Sequence, residues 1–214
     1  VPEYNVAKID YIKKNHSKDR SLSKPVTFAL QYFGTEHTLV NNSGFSLAEA
    51  TSIVVNYKEL YKRSEQYKQS RLEQAAKDGH AIVAFGLKVR VPVMGKSILN
   101  TSITPKLAVS ESRSVGNAMF QSYGLLTNRA MNAFMQLVWN SEYRTDILPI
   151  AMIHDAVYFI IKDDVRVVEW VNNNLIKEMS WQELPEIKHD AVHLGAELDL
   201  YPRWDKPITL PNGI

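Results

Sequence analysis

Residues 147–164, ILPIAMIHDAVYFIIKDD, decide the fold. The apolar run is broken once, at His154-Asp155, and β-branched or aromatic residues flank the break on both sides, which predicts two strands meeting at a tight turn. Leu148 to Ile153 and Val157 to Ile161 are each long enough for a half-buried strand. His-Asp-Ala is then left at the bend of a hairpin, with a carboxylate held at a strand tip. Taken alone, such a residue is more often a turn aspartate bonding its own backbone.

Downstream, Val165 to Met179 has the period of an amphipathic helix, with Val168, Val171, Leu175 and Met179 inward, covering the sheet. Ala196 to Tyr201, AELDLY, alternates as a final strand, and the Pro-rich tail from Pro202 to Ile214 is expected to be extended. Upstream, a helix is predicted from about Ser110 to Trp139, with Arg113, Asn117 and Gln121 at four-residue steps on one face. All three donate hydrogen bonds. Arginine suits a phosphate, while Asn and Gln suit base edges or sugars. A buried polar stripe needs partners, and internal capping bonds are the other use for these side chains.

A second stripe lies nearer the N-terminus, in KDRSLSKPVTFALQYFGTEHTL, residues 18–39. Arg20, Lys24, Phe28 and Tyr32 stand four apart, with Gly34 as the expected helix stop. Each step of four drifts by about 40°, so the four stay on one side of a helix. Two cations followed by two aromatics can pair with phosphates and stack on a sugar or base. A solvated basic turn running into a core-facing aromatic stripe has the same pattern. Pro25 requires the helix to start near Ser21 or to kink.

The remaining elements follow from local signals. Residues 1–18 predict a short amphipathic helix after Pro2, with Val6, Ile9 and Ile12 on one face. Ser46 and Glu49 form a capping-box pattern opening a long polar helix, Leu47 to Lys77, which Gly79 ends. Its tyrosines, Tyr57, Tyr61 and Tyr67, suggest that it stands partly free of the core. Ala81 to Phe85 and Leu87 to Pro92 predict a short hairpin around Gly86, with Lys88 and Arg90 on the wet face. Residues 93–106 hold Gly95, Asn100 and Pro105 with few apolar anchors, and a division is placed near residue 100.

With 214 residues, 22% of them charged, the chain suits one or two ordinary globular domains. A net charge of +2 permits an anionic partner without arguing for one. The lack of cysteine excludes disulfides, thiolate nucleophiles and cysteine-ligated zinc, so an intracellular, cytoplasmic setting is expected. No stretch approaches the roughly 18 apolar residues of a spanning helix, and no membrane partner is expected.

Three ordered blocks, Arg20-xxx-Lys24-xxx-Phe28-xxx-Tyr32, Arg113-xxx-Asn117-xxx-Gln121 and His154-Asp155 behind an apolar strand, together resemble the last conserved blocks of family A DNA polymerases. The likeness is closest to bacteriophage members, for which the setting is the host cytoplasm. The resemblance implies an α/β (α+β) fold: a fingers-like helical subdomain over residues 1–100, then a palm-like subdomain over 101–214 with an antiparallel sheet and covering helices. It also implies an incomplete polymerase fold, lacking exonuclease, thumb and the first palm strand with its catalytic aspartate. By the same resemblance Arg20 and Lys24 hold the incoming deoxynucleoside triphosphate, Phe28 stacks on its sugar, and Tyr32 closes over the nascent pair. Arg113, Asn117 and Gln121 hold primer-template DNA, His154 lies near the primer terminus, and Asp155 binds Mg2+ in a two-metal site. A second polypeptide carrying the thumb and the other catalytic aspartate is expected as partner.

The sequence departs from the family pattern at three positions. Ala156 stands where the family usually has Glu, Phe33 separates Tyr32 from Gly34, and Pro25 lies within the nucleotide-binding helix. Besides the polymerase, a non-catalytic nucleic-acid-binding module of the same fold and a structural α/β domain remain as readings.

Overall fold

The structure, a computed structural model, describes residues 11–12, 14–97, 104–203 and 205–211, which fall into two units, Val1–Ser122 and Tyr123–Ile214. The amphipathic helix expected over 1–18 and the division near residue 100 fall largely outside the described residues, as do Trp204 and the last three residues of the tail.

In the first unit, α1 (Ser17–Gln31) runs through Pro25. Its start at Ser17, earlier than Ser21, places Asp19 in the first turn beside His16, 3.5 Å away, where a carboxylate complements the helix dipole. The helix stop also differs from expectation. The left-handed residue is Phe33, at φ 64°, and not Gly34. The Phe33 amide donates to the Leu30 carbonyl (3.3 Å) and the Gly34 amide to that of Ala29 (2.7 Å), the paired bonds that close a helix through a left-handed residue. Gly34 serves close approach, because a Cβ there would lie 2.6 Å from the Ala29 oxygen.

After α2 (Glu36–Ser43), the Ser46–Glu49 capping box opens α3 (Leu47–Leu60) as the sequence predicts. The Ser46 hydroxyl and amide donate to Glu49 Oε2 at 2.7 and 2.9 Å, and these bonds, the hydroxyl's first, lower the Glu49 pKa. The single helix expected over 47–77 is two, because the chain breaks at Tyr61 before α4 (Lys62–Asp78). The two halves serve different cores: α3 buries Ala50, Val54 and Tyr57 with Leu30 and Leu39, whereas α4 gives Leu72 and Ala75 to a cluster with Val91, Val115 and Met119. Tyr57, expected on a free-standing helix, is buried and donates its hydroxyl proton to Gln31 Oε1 at 2.9 Å. β1 (His80–Ile82) pairs with β2 (Lys88–Arg90) around a 3-10 turn, with Lys88 and Arg90 exposed as expected.

α5 (Lys106–Gln121) is followed by a 3-10 turn, Ser122–Gly124, and then α6 (Leu125–Trp139), so the helix predicted over 110–139 is interrupted. Ser122 supplies the reason, since its hydroxyl donates to the Met119 carbonyl and accepts from the Ala84 amide, competing with helical bonding just before Gly124.

The second unit contains the organising hairpin, β3 (Ile147–Ile153) and β4 (Ala156–Ile161), in register from Ile147↔Ile161 to Ile153↔Ala156 with an irregularity between Pro149 and Ala151. α6 and α7 (Val165–Met179) enclose Phe134, Val138, Ile147, Val171 and Leu175, with Val157 and Phe159 of the hairpin against them. Val167, rather than Val168, leads the buried i, i+4, i+8 row with Val171 and Leu175. On the other hairpin face the paired Leu148 and Ile160 are 52% and 60% exposed, and Ile150 and Met152 are exposed as well. β5 (Leu198–Arg203) starts later than the predicted strand, and the tail folds back on it as β6 (Lys206–Leu210). Among the described residues the strands form three separate antiparallel pairs, and no helix is long and apolar enough to cross a membrane.

Candidate functional site

Helical spacing places Arg20, Lys24 and Phe28 on α1, with Tyr32 as its C-cap. Arg20 and Lys24 are exposed, Phe28 is 55% exposed and Tyr32 is half-buried. The Phe28 and Tyr32 rings lie 6.5 Å apart with only 12° between their planes. Among the described residues neither cation is ion-paired, so both charges face solvent. This surface offers cations for phosphates followed by an aromatic step on which a sugar or base can stack. The core-facing alternative for the aromatics fails at Phe28.

On α5, Arg113 and Gln121 are exposed and Asn117 is half-buried. Asn117 Oδ1 is buried and has no hydrogen-bond partner among the described residues. An orphaned acceptor costs about 1–3 kcal/mol, and a donor on a bound base or sugar would recover it. Internal capping therefore does not account for this position. Arg113 lines a cavity that also touches Phe33, Gly34 and Thr35, so it approaches the C-terminal end of α1. Asn117 and Gln121 do not line that cavity.

Sequence reasoning missed the residues that hold these two helices together. Lys68 of α4 is 3% exposed, is ion-paired with Glu65, and has Nζ 3.5 Å from the Leu30 carbonyl and 5.0 Å from the Phe33 ring centroid. Gly116, between Arg113 and Asn117, meets the same ring: a Cβ there would lie 2.8 Å from Phe33 Cδ2 and closer still to Cε2 and Cζ. A glycine inside a helical pattern was the available signal. A lysine in a polar helix gave none.

In the second unit the hairpin has a two-residue loop, His154-Asp155, between the paired Ile153 and Ala156. His154 has φ 56°, the left-handed position that this tight turn needs first and that histidine tolerates better than most residues. His154 and Asp155 are exposed and Ala156 is half-buried. Asp164, past the far end of the hairpin, does other work: it caps α7 through the Arg166 amide (3.0 Å), and bonding to Arg166 lowers its pKa to about 2.

Among the described residues no three metal-ligating side chains gather, so Asp155 supplies a single carboxylate. One exposed aspartate does not by itself make a two-metal site, which needs further oxygen ligands to neutralise two divalent ions.

A model of DNA polymerase family A matches residues 5–206. Among solved structures, the POL domain of Pol1 from M. smegmatis, in complex with DNA primer-template and dNTP, superimposes with a TM-score of 0.65 at 19% identity. That alignment covers 82% of this chain and 28% of the other, so the chain corresponds to less than a third of that structure. No curated protein sequence matches. With the family model extending over nearly its whole length, the chain belongs to DNA polymerase family A.

Proposed function

We propose that this chain is the C-terminal, fingers-and-palm part of a DNA-directed DNA polymerase, adding nucleotides to a primer 3′ end. The observation that carries the proposal is the solvent-facing row of α1, where Arg20 and Lys24 precede the stacked Phe28 and Tyr32. In this reading residues 1–100 are fingers and 101–214 palm. The two cations hold the triphosphate of the incoming nucleotide, Phe28 stacks on its sugar and Tyr32 covers the new pair. Arg113, Asn117 and Gln121 hold primer-template, with the Asn117 acceptor turned to a donor on the nucleic acid. His154 lies near the primer terminus. Asp155 contributes one carboxylate to the divalent ions that stabilise charge on the transferring phosphate in such enzymes.

The other catalytic aspartate comes from outside these residues, on a second polypeptide that also carries the thumb. Exposed apolar side chains on the hairpin support this, because Leu148, Ile150, Met152 and Ile160 are exposed and β3 and β4 pair only with each other among the described strands.

A non-catalytic nucleic-acid-binding module is the second reading, and Ala156 favours it by removing a carboxylate next to Asp155. Primer-template binding together with magnesium-dependent incorporation, abolished by Asp155→Asn, is the result expected of a polymerase. Binding without incorporation in the presence of the second polypeptide supports the module.

A further inference from the structure

We propose that Phe33 is a positioning residue for nucleotide use: its ring, seated on Gly116, fixes Tyr32 of α1 in register with the polar row of α5. This rests on the polymerase reading and adds a residue that reading does not employ.

Phe33 sits in a left-handed backbone conformation, φ 64°, that a residue with a Cβ disfavours, so its ring must be held for the conformation to persist. The ring fills the space that any side chain at position 116 would take. It packs beside the cluster of Leu72, Val115 and Met119, and the buried Lys68 ammonium lies 5.0 Å from its centroid. Lys68 also reaches the Leu30 carbonyl in the last turn of α1. One side chain thus ties the end of α1 to α4 and α5.

Tyr32 immediately precedes this anchor. Its amide donates to the Phe28 carbonyl at 3.0 Å, and its ring stacks on Phe28. Turning the backbone at Tyr32 requires Phe33 either to leave its seat or to leave the left-handed conformation, because packed interiors adopt discrete arrangements and do not deform continuously. Gly116 stands between Arg113 and Asn117. A shift of α5 on binding duplex therefore reaches Tyr32 through the Phe33 ring.

The test compares wild type, Phe33→Ala, Phe33→Leu and Gly116→Ala, each with the second polypeptide and magnesium, in single-nucleotide extension with KM for dNTP and kcat read separately. Primer-template affinity is measured in parallel, and amide exchange is followed in the chain without substrates. Phe33→Ala is expected to raise KM for dNTP about tenfold while primer-template affinity changes less than about twofold, and Phe33→Leu restores most of the loss. Exchange should accelerate at residues 29–34 and at 113–119 together, and not at the capped start of α3. Gly116→Ala, acting from the other side of the contact, should reproduce the effect. An unchanged KM in an active protein, or acceleration at 29–34 alone, overturns the proposal. Absence of incorporation by wild type counts against the polymerase reading, and the exchange result then decides the Phe33 proposal by itself.

Discussion

Phe33 and Gly116 compete for one volume. The aromatic ring occupies the place of the missing Cβ, 2.8 Å from Phe33 Cδ2, and the left-handed backbone of Phe33 at φ 64° points it there. A departure from the family pattern, phenylalanine directly after Tyr32, is thereby matched by a glycine in the middle of a helix more than eighty residues away.

Gly116→Ala tests this relationship by its sign. At an open helical position alanine is more favourable than glycine by about 1 kcal/mol. Here the added methyl overpacks the contact, and a loss of about 1–3 kcal/mol is expected. Urea unfolding monitored by circular dichroism checks it, and a raised midpoint would show that the ring moves aside freely.

Lys24 and Gln121 separate nucleotide use from duplex binding. Lys24→Ala should lower kcat/KM for dNTP by at least about tenfold, because an exposed ammonium aimed at phosphates acts as charge develops there. It should leave primer-template affinity within about twofold. Gln121→Ala should weaken primer-template binding with little change in the slope against salt, since a neutral amide releases no counterions. A steep change in that slope contradicts the assignment.

How far the sequence revealed these features depends on whether the signal was local. The His154-Asp155 hairpin, the Ser46–Glu49 cap and the bounds of α7 were legible because each depends on neighbouring residues. The breaks at Tyr61 and Ser122 were not, because they depend on which distant cluster each half-helix must face and on a hydroxyl that bonds Ala84, thirty-eight residues away. The α1 and α5 rows were legible from four-residue spacing. Their connection through Phe33, Lys68 and Gly116 was not, because no periodicity encodes a contact among three helices.

Asp164 gives a pH-dependent prediction. Bonding to Arg166 holds its folded pKa at about 2, below the ordinary value of about 3.9. A depressed carboxylate contributes stability above its unfolded pKa and loses it as pH falls through the folded value. Asp164→Asn keeps a capping acceptor but removes the charge. Its Tm deficit relative to wild type should be complete above about pH 4 and vanish by about pH 2. A constant deficit across that window would place the effect in packing.

Asp155→Asn should preserve the fold, with Tm within a few degrees, and reduce nucleotide addition at least about a hundredfold, since the amide keeps the shape and removes the charge that attracts divalent ions. Ala156→Glu should be tolerated beside the exposed turn and support at least wild-type metal affinity. Insoluble Ala156→Glu protein would show that the half-buried Ala156 is packed more tightly than a turn residue.

The most direct measurement is primer extension with magnesium by the purified chain, alone and mixed with a second polypeptide that carries a family A thumb and the other catalytic aspartate. Two divalent ions about 4 Å apart repel strongly, and a single carboxylate with the substrate phosphates leaves them poorly neutralised. The chain alone should therefore bind primer-template without extending it, and the mixture should synthesise DNA. Robust synthesis by the chain alone, or none by the mixture, contradicts this account.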